Sequence, residues 1–267
     1  MMGELGVLGD IVARTRERVR ERKAAVPLEQ LLASAPPATS HRAFGHALSR
    51  VSVNVIAEFK RRSPSRGTIR EDLSPDELAV AYEAGGAAAL SVLTDQDFFG
   101  GSALDLQRAR TATLLPVLRK DFVVDPYQVW EAATLGADAV LLIVAVLSDP
   151  ELRSLAETAA GAGLETLVEV HDREELERAK AASSLIIGVN NRNLKTMAVD
   201  IQTSLDLAAA IPDHVVAVAE SGISTGAEVR RLRAAGFDAF LVGEHLMRAP
   251  DPGLALAALL RDSNKEA

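Results

Sequence analysis

The chain has 267 residues, 48% of them hydrophobic and 25% charged, a composition typical of a globular protein long enough to bury a full core. It has no cysteine, which excludes disulfides, thiolate metal sites and a cysteine nucleophile, and its formal net charge of -8 argues against general nucleic-acid binding. The first residues lack a signal-peptide core, and the longest apolar run, residues 139–147, is far shorter than the ~20 residues of a membrane-spanning helix, so a soluble cytoplasmic protein with no membrane partner is expected.

Residues 1–50 read as a helical, basic extension. Leu8, Ile11, Val12 and Val19 form an apolar stripe beside Arg14, Arg16, Arg18, Arg20 and Arg22. Glu17 and Glu21 interrupt the positive charge and aromatics are absent, which favours a helix packed on the rest of the protein over one bound to nucleic acid or membrane. The segment APPATSHR, around Pro36 and Pro37, reads as a loop.

From residue 51 onward, short β-branched or leucine-rich runs alternate with alanine-rich helical stretches. The runs lie near residues 53, 87, 114, 137, 164, 184, 214 and 237. Eight such units in residues 51–267 predict a closed (β/α)8 TIM barrel rather than an open doubly wound sheet. TLGADAVLL, RAAGFDAFLV and YEAGGAAALSV each set glycine between a helix end and a strand start, where the left-handed conformation is wanted. No linker divides the chain, so extension and barrel are expected to form one structural domain.

Reactive groups of such barrels sit where strands finish. Here the ends are polar: Glu58 and Lys60 on the first strand, Lys120 on the third, Glu169 on the fifth, Asn190 on the sixth and Glu220 on the seventh. In an extended strand residues i and i+2 share a face, so Glu58 and Lys60 project together. Convergence of these groups would shift their proton affinities, as acid/base chemistry requires. Ser221 and Gly222 after strand seven, with Gly243 after strand eight, expose backbone N–H groups where barrels often bind phosphate.

The histidines His41, His46, His171, His214 and His245 show no metal-ligand spacing and read as surface or loop residues, so no metal is predicted. Phe98, Phe99 and Phe122 suit core packing or an aromatic substrate wall, with Phe122 assigned to the wall.

The motifs IAEFKRRSPSRG (56–67), LSVLTDQDFFGGS (90–102), PVLRKDFVVDPYQ (116–128), LVEVH (167–171), IGVNNRNL (187–194) and AESGIS (219–224) occur in the order found in the indole-3-glycerol-phosphate synthases of tryptophan biosynthesis, which the chain resembles over nearly its whole length. The second barrel fused to some members is absent, so the resemblance implies a monofunctional enzyme, expected as a monomer. It implies the substrate 1-(2-carboxyphenylamino)-1-deoxyribulose 5-phosphate, ring closure with loss of carbon dioxide and water, and no cofactor. Lys120 is then similar to the general acid of ring closure and Glu169 to the general base of dehydration. Lys60 is placed to hold anionic groups of the substrate, and Glu58 to orient Lys60. Asn190, Arg192 and Glu220 match polar positioning groups, Ser63 lies in the loop after strand one, Ser221, Gly222 and Gly243 match the phosphate cradle, and Phe122, Leu142 and Leu194 resemble the wall around the anthranilate ring. A Schiff-base aldolase-type barrel and a non-catalytic phosphate-binding barrel stay open as rival readings.

Overall fold

Each apolar run of the barrel region becomes a strand, and the residues flanking it fix where the helices start and stop. The computed structural model describes residues 6–37, 41–64, 66–194 and 196–265. Residues 1–5 of the extension, residues 38–40 of the Pro36–Pro37 loop and Ser65 of the first motif lie outside the described residues. The barrel strands are β1 (Asn54–Phe59), β2 (Ala89–Leu93), β3 (Val117–Lys120), β4 (Ala139–Ile143), β5 (Glu165–Val170), β6 (Ile186–Asn190), β7 (Val216–Glu220) and β8 (Ala239–Val242). They pair in parallel in chain order and β8 returns to β1, with Asn54 opposite Ala239, so the sheet closes into a (β/α)8 TIM barrel.

Three helices precede the barrel: α1 (Gly6–Ala25), α2 (Leu28–Ser34) and α3 (Phe44–Leu48). Those between and after the strands are α4 (Pro75–Gly85), α5 (Ala103–Ala112), α6 (Pro126–Leu135), α7 (Asp149–Gly161), α8 (Arg173–Ala181), α9 (Gln202–Ala208), α10 (Gly226–Ala234), α11 (Glu244–Arg248) and α12 (Pro252–Ser263). Ser74, Asp125 and Ser148 cap α4, α6 and α7 by accepting a first-turn N–H, with proline close behind where no N–H is needed. Gly86 and Gly136 end α4 and α6 at φ 94° and 85°, a backbone that a side chain would strain.

The pleat divides the core in two. On β4, Ala139, Leu141 and Ile143 face the barrel interior, while Val140 and Leu142 pack outward beneath the helices. At the N-terminal end of the barrel, Phe44 and Leu48 of α3 join the inner cluster and close the floor. Asp138, fully buried, holds this floor by accepting from the Arg42 N–H at 2.7 Å, the Val117 N–H at 2.8 Å and Arg110 Nη1 at 2.9 Å.

The stripe of α1 buries Leu8, Ile11, Thr15 and Val19. Its basic face meets acids on barrel loops and helices: Arg14 and Arg18 approach Asp97 at 3.0 and 2.6 Å, and Arg22 approaches Glu131 at 3.1 Å. Solvent-exposed pairs contribute little each, so the buried stripe carries most of the packing. Among the described residues no helix is long and apolar enough to cross a membrane.

Candidate active site

Along each strand the inward face is apolar near the floor and polar at the mouth. Glu58 comes two residues after Ile56, Lys120 after Leu118, Glu169 after Leu167 and Glu220 after Val218, and in each pair the first residue belongs to the inner core. The period-two pleat therefore raises four charged groups into one layer. Glu58 accepts from Lys60 Nζ at 2.6 Å and from Ser91 Oγ at 3.4 Å. Lys120 Nζ stands between two carboxylates, 3.4 Å from Glu169 Oε2 and 3.7 Å from Glu220 Oε2. Asn190 Oδ1 accepts from the Arg192 N–H at 3.0 Å and so shapes the turn after β6.

Two glycines make room for these carboxylates. A Cβ on Gly188 would meet Glu220 Oε1 at 2.1 Å, and one on Gly243 would meet Glu58 Oε1 at 2.4 Å. Gly243 thus has a steric reason in addition to the backbone exposure expected of it. Ser221 and Gly222 both have positive φ, 67° and 78°, a conformation free for glycine but costly for serine, and such strain tends to gather at functional turns.

These groups line a cavity of about 430 Å³ at the C-terminal mouth. Of the residues singled out from the sequence, Glu58, Lys60, Lys120, Glu169, Asn190, Glu220, Phe122, Arg192, Leu194, Ser221, Gly222 and Gly243 all reach its wall. Leu142 does not: it is fully buried among the outward-facing residues, and its neighbours Leu141 and Ile143 supply the wall instead. Nor does Ser63. It sits in a short hairpin of Arg62–Ser63 against Gly67–Thr68, and Arg66 is the described residue of that hairpin that faces the cavity.

Phe99, which the sequence left between core and wall, joins Phe122 at the cavity, ring centroids 6.0 Å apart, and Leu8, read only as part of the α1 stripe, reaches the cavity too. His41 and His171 lie in loops, as read, but with side chains only 5% and 11% exposed. His171 Nε2 lies 3.3 Å from Glu169 Oε1.

Burial would push every carboxyl here up; the cations decide which ones go down. It raises Glu58, but the ammonium groups of Lys60 and Lys120 outweigh it and hold Glu58 below its ordinary value. It raises Glu169 too, but Lys120, His171 and the Asn190 amide hold that carboxyl well below the usual carboxylate range. Glu220 goes the other way: burial and the neighbouring Glu169 charge push it up to about 8, against the pull of Lys120. Its Oε1 has no hydrogen-bond donor among the described residues. Lys120, which burial alone would lower, is held well above its ordinary value by Glu169, Glu220 and Glu58. At neutral pH the site therefore holds a charged Lys120, an ionised Glu169 and a protonated Glu220.

This arrangement fixes a sign for stability. Glu220 binds its proton more tightly folded than unfolded, so its contribution is complete below 4.5 and is lost as pH rises through about 8. Gln mimics the protonated acid at every pH. Glu220→Gln is therefore expected to melt progressively higher than the parent as pH climbs through that window, with the gap constant above it; calorimetric Tm series for both proteins check this, and a gap independent of pH would contradict the proton assignment.

Solved structures similar to the chain share its barrel. Thiamine phosphate pyrophosphorylase from Pyrococcus furiosus superposes with a TM-score of 0.60 at 17% identity, covering 80% of this chain and 96% of that one. A putative lactate oxidase from Pediococcus acidilactici gives 0.61 at 14% identity, covering 78% and 68%. At such identities the likeness is one of fold. A more specific match comes from the family model for indole-3-glycerol phosphate synthase, which runs over residues 8–259 and so takes in both the α1 stripe and every strand end of the charged layer. With that span, the chain belongs to the indole-3-glycerol phosphate synthase family, lyase-type enzymes of tryptophan biosynthesis that bind a phosphorylated substrate.

Proposed function

We propose that the chain acts as a carboxy-lyase, closing the pyrrole ring of 1-(2-carboxyphenylamino)-1-deoxyribulose 5-phosphate to give indole-3-glycerol phosphate, carbon dioxide and water, with Lys120 as acid and Glu169 as base. The observation that carries this reading is the Lys120 ammonium held between Glu169 and Glu220 in a partly apolar cavity. Ring closure joins the ring carbon bearing the carboxylate to the ketone carbon, and the ketone oxygen needs a proton as it becomes a hydroxyl. Lys120 supplies it. Carbon dioxide then leaves with its bonding electrons remaining in the ring. Dehydration removes a proton from the adjacent carbon, for which ionised Glu169 is the base, while the hydroxyl departs as water with a proton from an acid on the Lys60 side. Glu58 keeps Lys60 charged and oriented through the 2.6 Å contact.

Binding divides between the two ends of the cavity. Phe122, Phe99, Ile143 and Leu194 offer an apolar wall for the anthranilate ring, while Ser221, Gly222 and Gly243 lie on the side where barrels take phosphate. Arg192, lining the same cavity, is suited to the carboxylate or hydroxyls of the substrate.

The Schiff-base alternative needs a neutral lysine. The ionised Glu169 beside Lys120, with Glu58 nearby, keeps its amine protonated and poorly nucleophilic, which disfavours an imine. Incubation with the anilino-ribulose phosphate should give indole fluorescence and carbon dioxide, and borohydride should trap no adduct. A trapped imine without indole would favour the aldolase-type reading.

The phosphate side is tested by Gly222→Val. A Cβ there would meet Val199 Cγ1 at 2.5 Å and force φ 78° on a β-branched residue, so the turn must move. KM is expected to rise about ten- to hundredfold, the scale of one or two charge-assisted hydrogen bonds, with a smaller fall in kcat because phosphate binding helps align the reacting end. Steady-state kinetics separate the two parameters.

A further inference from the structure

His171 sits just beyond β5, on the same pleat face as Glu169, yet it does not line the cavity. Its Nδ1 is hydrogen-bonded to Glu175 Oε2 at 2.9 Å, while Nε2, which has no hydrogen-bond partner among the described residues, lies within ion-pair range of Glu169 Oε1 at 3.3 Å. A neutral imidazole with its N–H on Nδ1 would set the Nε2 lone pair against the Glu169 carboxylate, whereas the imidazolium sets positive charge beside both acids. Glu175 is itself fixed, because it also accepts the His171 backbone N–H at 2.8 Å while its own N–H is capped by Asp172 Oδ1 at 2.9 Å. Each oxygen of Glu169 then has its own cation, Lys120 at Oε2 and His171 at Oε1.

We propose that His171, kept protonated by Glu175, is a positioning residue that fixes the orientation of the base Glu169 and biases the shared proton onto Glu220. The inference rests on the reading of Glu169 as the base. Charged groups facing the imidazole are Glu169 from β5 and Glu175 from α8; Lys120 on β3 and Glu220 on β7 reach it through Glu169. Burial alone would lower the imidazole, but the two carboxylates push it up to about 10, so it stays charged across the neutral range. Without that charge, Glu169 loses one of its two cations and its advantage over Glu220 narrows.

A residue that merely tied β5 to α8 would alter stability and leave proton affinities alone. The deciding experiment is therefore the pH dependence of kcat and KM for the parent, His171→Asn, Glu175→Gln and Glu169→Gln. His171→Asn is expected to lower kcat by about tenfold with KM within about twofold, and to move the acid limb of the profile toward neutral by about one pH unit, the usual effect of removing a nearby opposite charge. Glu175→Gln should move the limb in the same direction by less, and it carries the test if His171→Asn does not fold. An acid limb unmoved in the folded variants would overturn the proposal, whatever their stability. Near-normal turnover by Glu169→Gln would instead overturn the assignment of the base, so the two failures are told apart.

Discussion

Replacing Lys120 with alanine is expected to lower kcat by about 10²-fold or more, the usual scale for loss of a general acid, with circular dichroism unchanged. The ammonium is the group that faces Glu169 and Glu220 at 3.4 and 3.7 Å, and alanine offers neither a proton nor a charge in its place. A second consequence follows from electrostatics. Buried carboxylates deprived of their cation take up protons, so Glu169 should become a poorer base in the same variant, and exogenous amines should restore little of the rate. Lys120→Met, closer in length, keeps the packing and should be as slow as the alanine variant. Near-normal turnover in either would remove Lys120 from the chemistry.

Glu169→Gln should lose product formation by about 10²-fold or more while a non-reactive substrate analogue still binds within a few-fold of the parent affinity. Gln fills the same volume and can still accept from Lys120, but it cannot take a proton. Its effect is the reverse of that expected for Gly222→Val, which strikes binding first. Calorimetry with the analogue beside single-turnover kinetics makes the comparison, and loss of analogue binding in Glu169→Gln would show that the carboxylate holds substrate rather than activating it.

The charged layer was readable because a polar residue at the end of an apolar strand breaks the local pattern, and a barrel puts all such ends at one mouth. Glu58, Lys120, Glu169 and Glu220 each stand two residues past an apolar inner-face residue, so composition and pleat point to the same side. Leu142 shows the limit of that reasoning. β4 is apolar on both faces, as strands of parallel sheets are, so nothing local says whether Leu141 or Leu142 looks inward; only register with β5, which sets Leu142 opposite Val168 and Ile143 opposite Glu169, decides. Ser63 lies in the loop after β1, as read, but off the cavity wall for a different reason, since its hairpin is oriented by Arg62 bonding to the Gln96 carbonyl at 2.9 Å, far along the chain. His171 did leave a trace: it lies two residues after Glu169 and four before Glu175, on a strand face that continues into a helix cap. Reading it required joining a period-two rule to a period-four one across an element boundary. The acids that meet the arginines of α1 left none, because Asp97 and Glu131 are remote in sequence.

The contact of Leu8 with the cavity has a consequence for how the enzyme comes into being. One wall of the site comes from α1, ahead of every barrel strand, and Gly243 contributes another only after β8. Synthesis delivers the first of these pieces before any barrel strand and the second after all eight. A ribosome-bound chain that has released seven strands holds both Lys120 and Glu169 but lacks the strand that joins β7 back to β1, so catalytic competence should arrive late and abruptly, on emergence of β8, rather than accumulate strand by strand.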